Sequence, residues 1–248
     1  METILEVNNV IKQFGGFTAL SEVSLHVNKG ERLGLIGPNG SGKTSLCWAL
    51  QGLGPKTAGE VLLEEGATSA LENEARLELV ALVPQRANDL LFLNSLAEEL
   101  EESDRYAKVS QGTTAKLFQT MSGRIDTAVH PRDMSAGQQL ALVLAIQMAK
   151  QPKVLILDEP TRGLDYHAKK ALAQQLKALR DVSRSIILAT HDIEFVALVA
   201  DRVIALESGK VISDSSVIDA LGPEKPYASQ ISQICQTEGL IRVDQVMA

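Results

Sequence analysis

Eight residues near the start of the chain have the types and spacing to hold phosphate: Gly37-Pro38-Asn39-Gly40-Ser41-Gly42-Lys43-Thr44 fits GxxxxGK[ST]. The glycines let successive backbone N–H groups turn toward one point as an anion nest. A helix starting at Lys43 would add the positive end of its dipole. Lys43 would reach the β- and γ-phosphates of a nucleoside triphosphate, and the Thr44 hydroxyl would ligate Mg2+. A glycine-rich turn without a ligand is the competing reading. Context separates the two, because the motif requires a strand before it and a helix after it.

Further along, Val154-Leu155-Ile156-Leu157-Asp158-Glu159-Pro160 is an apolar run ending in two acids. In a parallel sheet the strand C-termini face the ligand crevice, so both carboxylates would meet the phosphates. Asp158 suits Mg2+, through water. Glu159 points to the neighbouring position, where a water is polarised for in-line attack on a γ-phosphate. Asp-Glu at a strand end is weak evidence alone and strong evidence beside a phosphate loop on the same sheet.

The elements that must position these groups follow from periodicity. Ile4–Val7 and Val23–Val27 are β-rich and separated by the turn-prone Gly15-Gly16; Arg32–Ile36 is an apolar strand leading into the glycine loop. A helix is expected from Lys43 to about Leu53, and strands at Glu60–Leu63 and Leu79–Val83. Between Ala87 and about Pro131 strand signals disappear, and Asn94–Glu102 and Thr113–Met121 read as helices. Helices Ala136–Lys150, Tyr166–Arg180 and Ile193–Ala200 then alternate with strands Val154–Leu157, Ser185–Leu188 and Arg202–Leu206. Such alternation predicts an α/β fold with a largely parallel sheet. Beyond about Asp214 the sequence reads as a short helix, a turn and a weakly structured tail.

Bulk properties narrow the function classes. The 248 residues are 45% apolar and 22% charged, ordinary for a globular chain with a full core. The net charge of −7 and the scatter of Lys and Arg argue against a nucleic-acid partner. Cys47 and Cys235 fit no metal or CxxC spacing and read as free thiols. His26, His130 and His167 have no partners at metal-ligand spacing, and Trp48 reads as a packing residue. No signal peptide is expected at the N-terminus. The longest apolar stretch, Leu140–Ala149, is about half of the ~20 residues a membrane span needs. Any membrane role is therefore expected to come through a partner.

Met134-Ser135-Ala136-Gly137-Gln138, at the head of a predicted helix, resembles the LSGGQ signature of ABC ATPases, with Met for Leu and Ala for the first Gly. The other motifs of that family fall in order. Phe14 stands where an adenine-stacking aromatic is expected, with Phe17 nearby; Gln85 in Val83-Pro84-Gln85 matches the Q-loop. Thr161-Arg162-Gly163-Leu164-Asp165 resembles the D-loop, and His191 in Ala189-Thr190-His191-Asp192 matches the H-loop. The resemblance covers about residues 2 to 214. It implies a P-loop NTPase of the ABC nucleotide-binding type, with an N-terminal antiparallel β region, a parallel-sheet core and an inserted helical subdomain. The ABC ATPase domain is expected over 1–214, the insertion at about 87–134, and a C-terminal helix and tail over 215–248.

The same resemblance implies the roles. ATP and Mg2+ would be the cofactors, sandwiched between two such domains. Glu159, His191 and Lys43 would be catalytic. Phe14, Gly37, Pro38, Asn39, Gly40, Ser41, Gly42, Lys43, Thr44, Ser45 and Gln85 would bind nucleotide, and Thr44, Gln85 and Asp158 the metal. Ser135, Gly137 and Gln138 would reach the partner's γ-phosphate, and Asp165 would communicate across the dimer. At Ala136 the alanine keeps the N–H but adds a methyl; a helical backbone there would tolerate it.

The stretches Val80–Gln85 with Asp89–Phe92, Pro131–Gln138 and Thr161–Tyr166 are similar to the energy-coupling factor (ECF) ATPases, most of all to the second half of their tandem forms. That implies uptake of a vitamin or transition-metal ion. The partners would be an integral membrane coupling protein, a small substrate-binding membrane protein and a second ABC ATPase domain, a heterodimer being favoured over a homodimer. The place would be peripheral, at the cytoplasmic face of the cell membrane. Leu90-Leu91-Phe92-Leu93 suits a docking groove and equally a subdomain core. The alternative is a non-transport ABC ATPase acting as an assembly factor or scaffold with soluble partners. Translation-type and DNA-repair forms carry two ATPase domains or long coiled-coil insertions, which this sequence lacks.

Overall fold

Alternating apolar and polar residues over the first thirty positions fold into a hairpin. Strand β1 (Thr3–Phe14) pairs antiparallel with β2 (Phe17–Asn28), and Phe14 faces Phe17 across Gly15-Gly16. The computed structural model describes residues 2–53, 58–64, 66–68, 71–179 and 184–246. Both strands run beyond the short β-rich stretches expected, because cross-strand pairing extends order past the point where the local pattern fades.

Strand β3 (Arg32–Ile36) leads through the glycine loop into helix α1 (Lys43–Leu50). The helix stops short of the expected Leu53, since Gln51 caps it and Gly52 turns left-handed at φ +75°. Strands β4 (Ala58–Leu63) and β5 (Gly66–Ala67) complete a four-stranded sheet in the order β2-β1-β4-β5. Helix α2 (Asn73–Leu79) precedes β6 (Val80–Val83). Leu79, expected to open that strand, instead closes α2, whose Glu, Ala, Arg and Leu residues are good helix formers.

Residues 87–133 contribute helices, with no strand among them. Single 3-10 turns at Ala87–Leu90 and Pro131–Asp133 flank α3 (Leu96–Tyr106) and α4 (Thr113–Ser122). Helix α3 starts after Asn94 because the Ser95 hydroxyl accepts the Glu98 N–H as an N-cap. Gly112, the N-cap of α4, has no side chain to cap the helix, and Asp104 of α3 does so instead. Its carboxylate accepts the N–H groups of Gly112 at 2.6 Å and Thr114 at 2.8 Å, and the Thr114 hydroxyl at 2.6 Å. Burial pushes the Asp104 carboxyl up, but the bonds from Thr114 and from the backbone of residues 112–114 outweigh it, and the net shift is downward.

Strand–helix alternation follows as expected: α5 (Ala136–Ala149), β7 (Val154–Asp158), α6 (Tyr166–Ala178), β8 (Ser185–Ala189), α7 (Ile193–Val199) and β9 (Arg202–Glu207). Arg180, the expected end of α6, lies outside the described residues. A left-handed Ser208-Gly209 pair then turns the chain into β10 (Lys210–Ser216), an antiparallel edge strand the sequence reading did not contain. Helices α8 (Val217–Leu221), α9 (Gln230–Cys235) and α10 (Val243–Val246) follow. Residues 217–246 are more ordered than expected, because Ile241, Ser229 and Ser232 are buried.

The second sheet has the order β10-β9-β3-β8-β7-β6 and is parallel except at β10. Strand β7 is buried throughout. Leu155 and Leu157 pack on the face covered by α5 and α6, while Val154 and Ile156 face the layer formed by α1 and the antiparallel sheet. Burial on both faces explains its unbroken apolar run. With β8 between β3 and β7, the residues that follow all three strands emerge side by side at one end of the sheet.

Candidate functional site

The phosphate loop occupies that end, between β3 and α1, which is the context the motif requires. Gly37 has φ +147°, and a Cβ there would stand 2.1 Å from the Leu206 carbonyl oxygen; Gly42, at φ +107°, would meet the Ala19 oxygen at 2.7 Å. Both positions exclude any side chain, which holds the loop against β9 and β2. Gly42 is the N-cap of α1 and offers no capping side chain, so the first-turn amides keep their donors for a ligand. The buried Lys43 ammonium donates to the carbonyls of Gly37 at 2.8 Å and Pro38 at 3.2 Å.

At the end of β7, Asp158 is 2% exposed, and its Oδ1 has no hydrogen-bond partner. Burial pushes its carboxyl up and the neighbouring Glu159 charge adds to this; a Thr44 hydrogen bond and the Lys43 charge oppose the rise. A buried, unpartnered carboxylate oxygen beside a hydroxyl makes a hard oxygen donor set, and this fits Mg2+.

Glu159 follows with φ +48°, a left-handed backbone that costs a non-glycine residue about 1–3 kcal/mol. Its N–H donates to the Ala189 carbonyl at 2.7 Å, which fixes the turn against the end of β8. The Glu159 Oε2 accepts the Thr190 hydroxyl at 3.0 Å and the His191 backbone N–H at 3.4 Å, and lies 2.8 Å from His191 Nδ1. An ionised carboxylate only accepts, so Nδ1 is the donor in that pair and the ring's Nε2 is left free of this contact. The other oxygen, Oε1, stands 3.8 Å from Lys43 Nζ. Lys43, Thr44, Asp158, Glu159 and His191 are thus one contiguous group.

Gln85 is exposed and lines a cleft of about 320 Å³ with Ala136, Gln139, Glu159, Arg162 and Leu164. Ser135 caps α5 in a reciprocal box: its hydroxyl accepts the Gln138 N–H at 3.3 Å, and Gln138 Oε1 accepts the Ser135 N–H at 2.8 Å. The hydrogen bonds of Ser135 and Gln138 stay within their own helix start and do not reach the phosphate loop. Ala136 is the first residue of α5 and keeps a right-handed backbone, as the helix-terminus argument requires. At Gly137 an added Cβ would meet only ordinary contacts at 3.8 Å. Asp165 caps α6 through the Ala168 N–H at 2.8 Å. Phe14 ends β1 at 43% exposure. Trp48, expected as a packing residue, is 41% exposed on α1, and its ring lies against the ammonium of the buried Lys12 at 5.7 Å.

The sequence reading assigned no role to two residues that the fold ties to this group. Thr190 is wholly buried, and its hydroxyl both donates to Glu159 and accepts the Asp192 N–H at 3.1 Å. Lys169 of α6 reaches Asp192 at 2.6 Å, linking the Asp165 helix to the segment after His191. A hydroxyl residue directly before His191, at the end of a buried strand, was the available signal for Thr190.

Residues 20–162 match the ABC transporter family. The chain belongs to that family. Among relatives of this ABC cassette, a Streptomyces coelicolor protein classed with the ABC transporter ATP-binding proteins is 38% identical over 241 residues. That match takes in 97% of this chain and 43% of the relative, so the chain spans under half the length of the curated relative. The cobalt import ATP-binding protein CbiO of Rhodobacter capsulatus is 34% identical over 225 residues, covering 86% of this chain and 79% of CbiO. Among solved structures, cbiO1 of Clostridium perfringens, part of the ABC transporter complex cbiONQ, superposes with a TM-score of 0.76 at 25% identity, over 89% of this chain and 91% of cbiO1. An ATP-binding cassette solved as a dimer in a post-hydrolysis state with ADP and Pi gives a TM-score of 0.74 at 25% identity, covering 86% and 99% of the two chains. The antiparallel β region beside a parallel core is thus that of an ABC ATPase cassette. Among the described residues no helix is long and apolar enough to cross a membrane.

Proposed function

We propose that this ABC cassette hydrolyses Mg-ATP at the interface with a second ABC ATPase domain and so drives ECF-type uptake of a vitamin or transition-metal ion. The observation that carries the hydrolytic reading is the Glu159 carboxylate, clamped by Thr190 and His191 and 3.8 Å from Lys43. The amides of Gly40 to Ser45 and the Lys43 ammonium bind the phosphates; Lys43 reaches them by exchanging one of its loop carbonyls for a phosphate oxygen. Thr44 and Asp158 would hold Mg2+, with Gln85 joining from the cleft wall, and the ion would supply charge neutralisation at the phosphates. Glu159 orients a water and accepts its proton, and His191 holds the γ-phosphate side of that water. Phe14 stacks on the adenine. Ser135, with a hydroxyl proton free to donate, and the Gly137 N–H complete the partner's site, where Gln138 supports the cap. Asp165 sits at the dimer seam.

The ATPase domain occupies residues 1–214, residues 87–134 form its inserted helical arm, and 215–248 form a C-terminal extension. Support for the ECF assignment comes from the cobalt-import relative and from the cbiO1 structure. The cassette would sit peripherally on the cytoplasmic face of the membrane. There it would bind a coupling protein and a small substrate-binding membrane protein, with a different ATPase chain as its partner.

Two experiments test this. Glu159→Gln is expected to bind ATP, lose turnover and accumulate as a nucleotide-bound dimer; undiminished hydrolysis would remove Glu159 from its role. Purification from gently solubilised membranes should recover a multi-span protein and a second ATPase. Soluble companions alone would move the function to an assembly or scaffold role.

A further inference from the structure

We infer that Trp48 is a second aromatic wall for the nucleobase, paired with Phe14 through the buried side chain of Lys12. This rests on the ATP site proposed above. Trp48 lies three residues past Ser45 and four past Thr44 on α1, so all three share one helix face. It therefore stands about 6 Å along the axis from Thr44, one turn beyond the positions assigned to phosphate. Phe14 approaches the same place from the end of β1.

Lys12 joins the two rings. It is 0% exposed, donates to the Leu53 carbonyl at 2.9 Å, and holds its ammonium 5.5 Å from the Phe14 centroid and 5.7 Å from that of Trp48. Burying an ammonium is costly, and its charge here is compensated by one carbonyl and two aromatic faces. Burial also pushes the Lys12 pKa down from the ordinary lysine value. Both rings nevertheless keep about two fifths of their surface in solvent. A single exposed aromatic is unremarkable on a protein surface. Two of them, held by one buried cation and one turn from the phosphate positions, offer exposed aromatic faces within reach of a bound triphosphate. A purine base fits those faces by stacking, which every base offers through its π-face. Lys12 is a positioning residue here, and Trp48 the contact.

The chain contains one tryptophan, so its fluorescence reports on this position alone. The experiment compares Mg-ATP with Mg-tripolyphosphate, which carries the phosphates without the base, while calorimetry establishes binding of each. Quenching by ATP and not by saturating tripolyphosphate is expected. Trp48→Ala should weaken ATP about tenfold, with tripolyphosphate affinity unchanged. Equal responses to both bound ligands, or unchanged ATP affinity in Trp48→Ala, would overturn the inference and leave the phosphate site standing. If calorimetry detects neither ligand, the phosphate-site reading itself fails and this inference falls with it.

Discussion

Replacing Thr190 by valine removes one buried hydroxyl at almost constant volume. In the native protein that hydroxyl donates to Glu159 Oε2 at 3.0 Å and accepts the Asp192 N–H at 3.1 Å. A hydrogen bond to a charged group contributes about 1.5–3 kcal/mol, and the orphaned Asp192 amide adds a further cost of about 1 kcal/mol. The variant should therefore lose about 2.5–4 kcal/mol of stability. The catalytic effect is separable. Glu159 would retain only His191 to orient Oε2, at 2.8 Å from Nδ1 and 3.4 Å from the backbone nitrogen. For a carboxylate proposed to polarise the attacking water, loss of about 1.4–2.7 kcal/mol in its orientation corresponds to a tenfold to hundredfold fall in kcat. Thr190 makes no hydrogen bond to the phosphate loop, so the Kd for ATP should stay within about twofold. Phosphate release at saturating Mg-ATP gives the first quantity and equilibrium binding the second. Thr190→Ser, which restores the hydroxyl, should recover most of the rate. A valine variant with wild-type kcat, or a serine variant as slow as valine, would refute the claim that this hydroxyl positions Glu159.

Lys43→Ala deletes a buried cation bonded to two loop carbonyls and should weaken ATP binding about thirtyfold or more, read by calorimetry. Gly37→Ala should lower the melting temperature far more than Gly40→Ala. The first would place a methyl 2.1 Å from the Leu206 oxygen, while the second, though at φ +81°, has nothing within 4 Å of the added carbon. Asp104→Ala should cost about 2 kcal/mol at neutral pH, a melting shift of roughly 4–8 °C for a chain of this size. Because the folded-state pKa of Asp104 is depressed, its contribution is full above the ordinary aspartate pKa and fades as pH falls through the depressed value. Melting curves of wild type and variant should therefore converge in acid.

The strand–glycine loop–helix context, the turn at Asp158-Glu159 and the helix capped by Ser135 were legible because each is a run of consecutive residues whose local structure needs only the strand or helix beside it. Parallel architecture was legible for a similar reason, since burial on both faces writes an unbroken apolar run such as 154–157. Element ends were less so: Leu79 went to a helix, β10 was missed, and residues 217–246 proved to pack through Ile241. These outcomes depend on pairing and burial partners far away in sequence.

Around the site, the sequence by itself determined which residue types stand at the strand and helix ends, and so which chemistry could be proposed for them. Only the tertiary structure decided how they are held. The Thr190–Glu159 bond spans 31 positions, and Lys12 meets Trp48 across two separate elements. Ser135 and Asp165, read for nucleotide and dimer contacts, also cap their own helices. The physical reason is one of range. Backbone conformation and amphipathic period are set by neighbours along the chain. The burial of a charge, the partner of a hydroxyl and the exposure of a ring are set by whatever the folded sheet brings alongside.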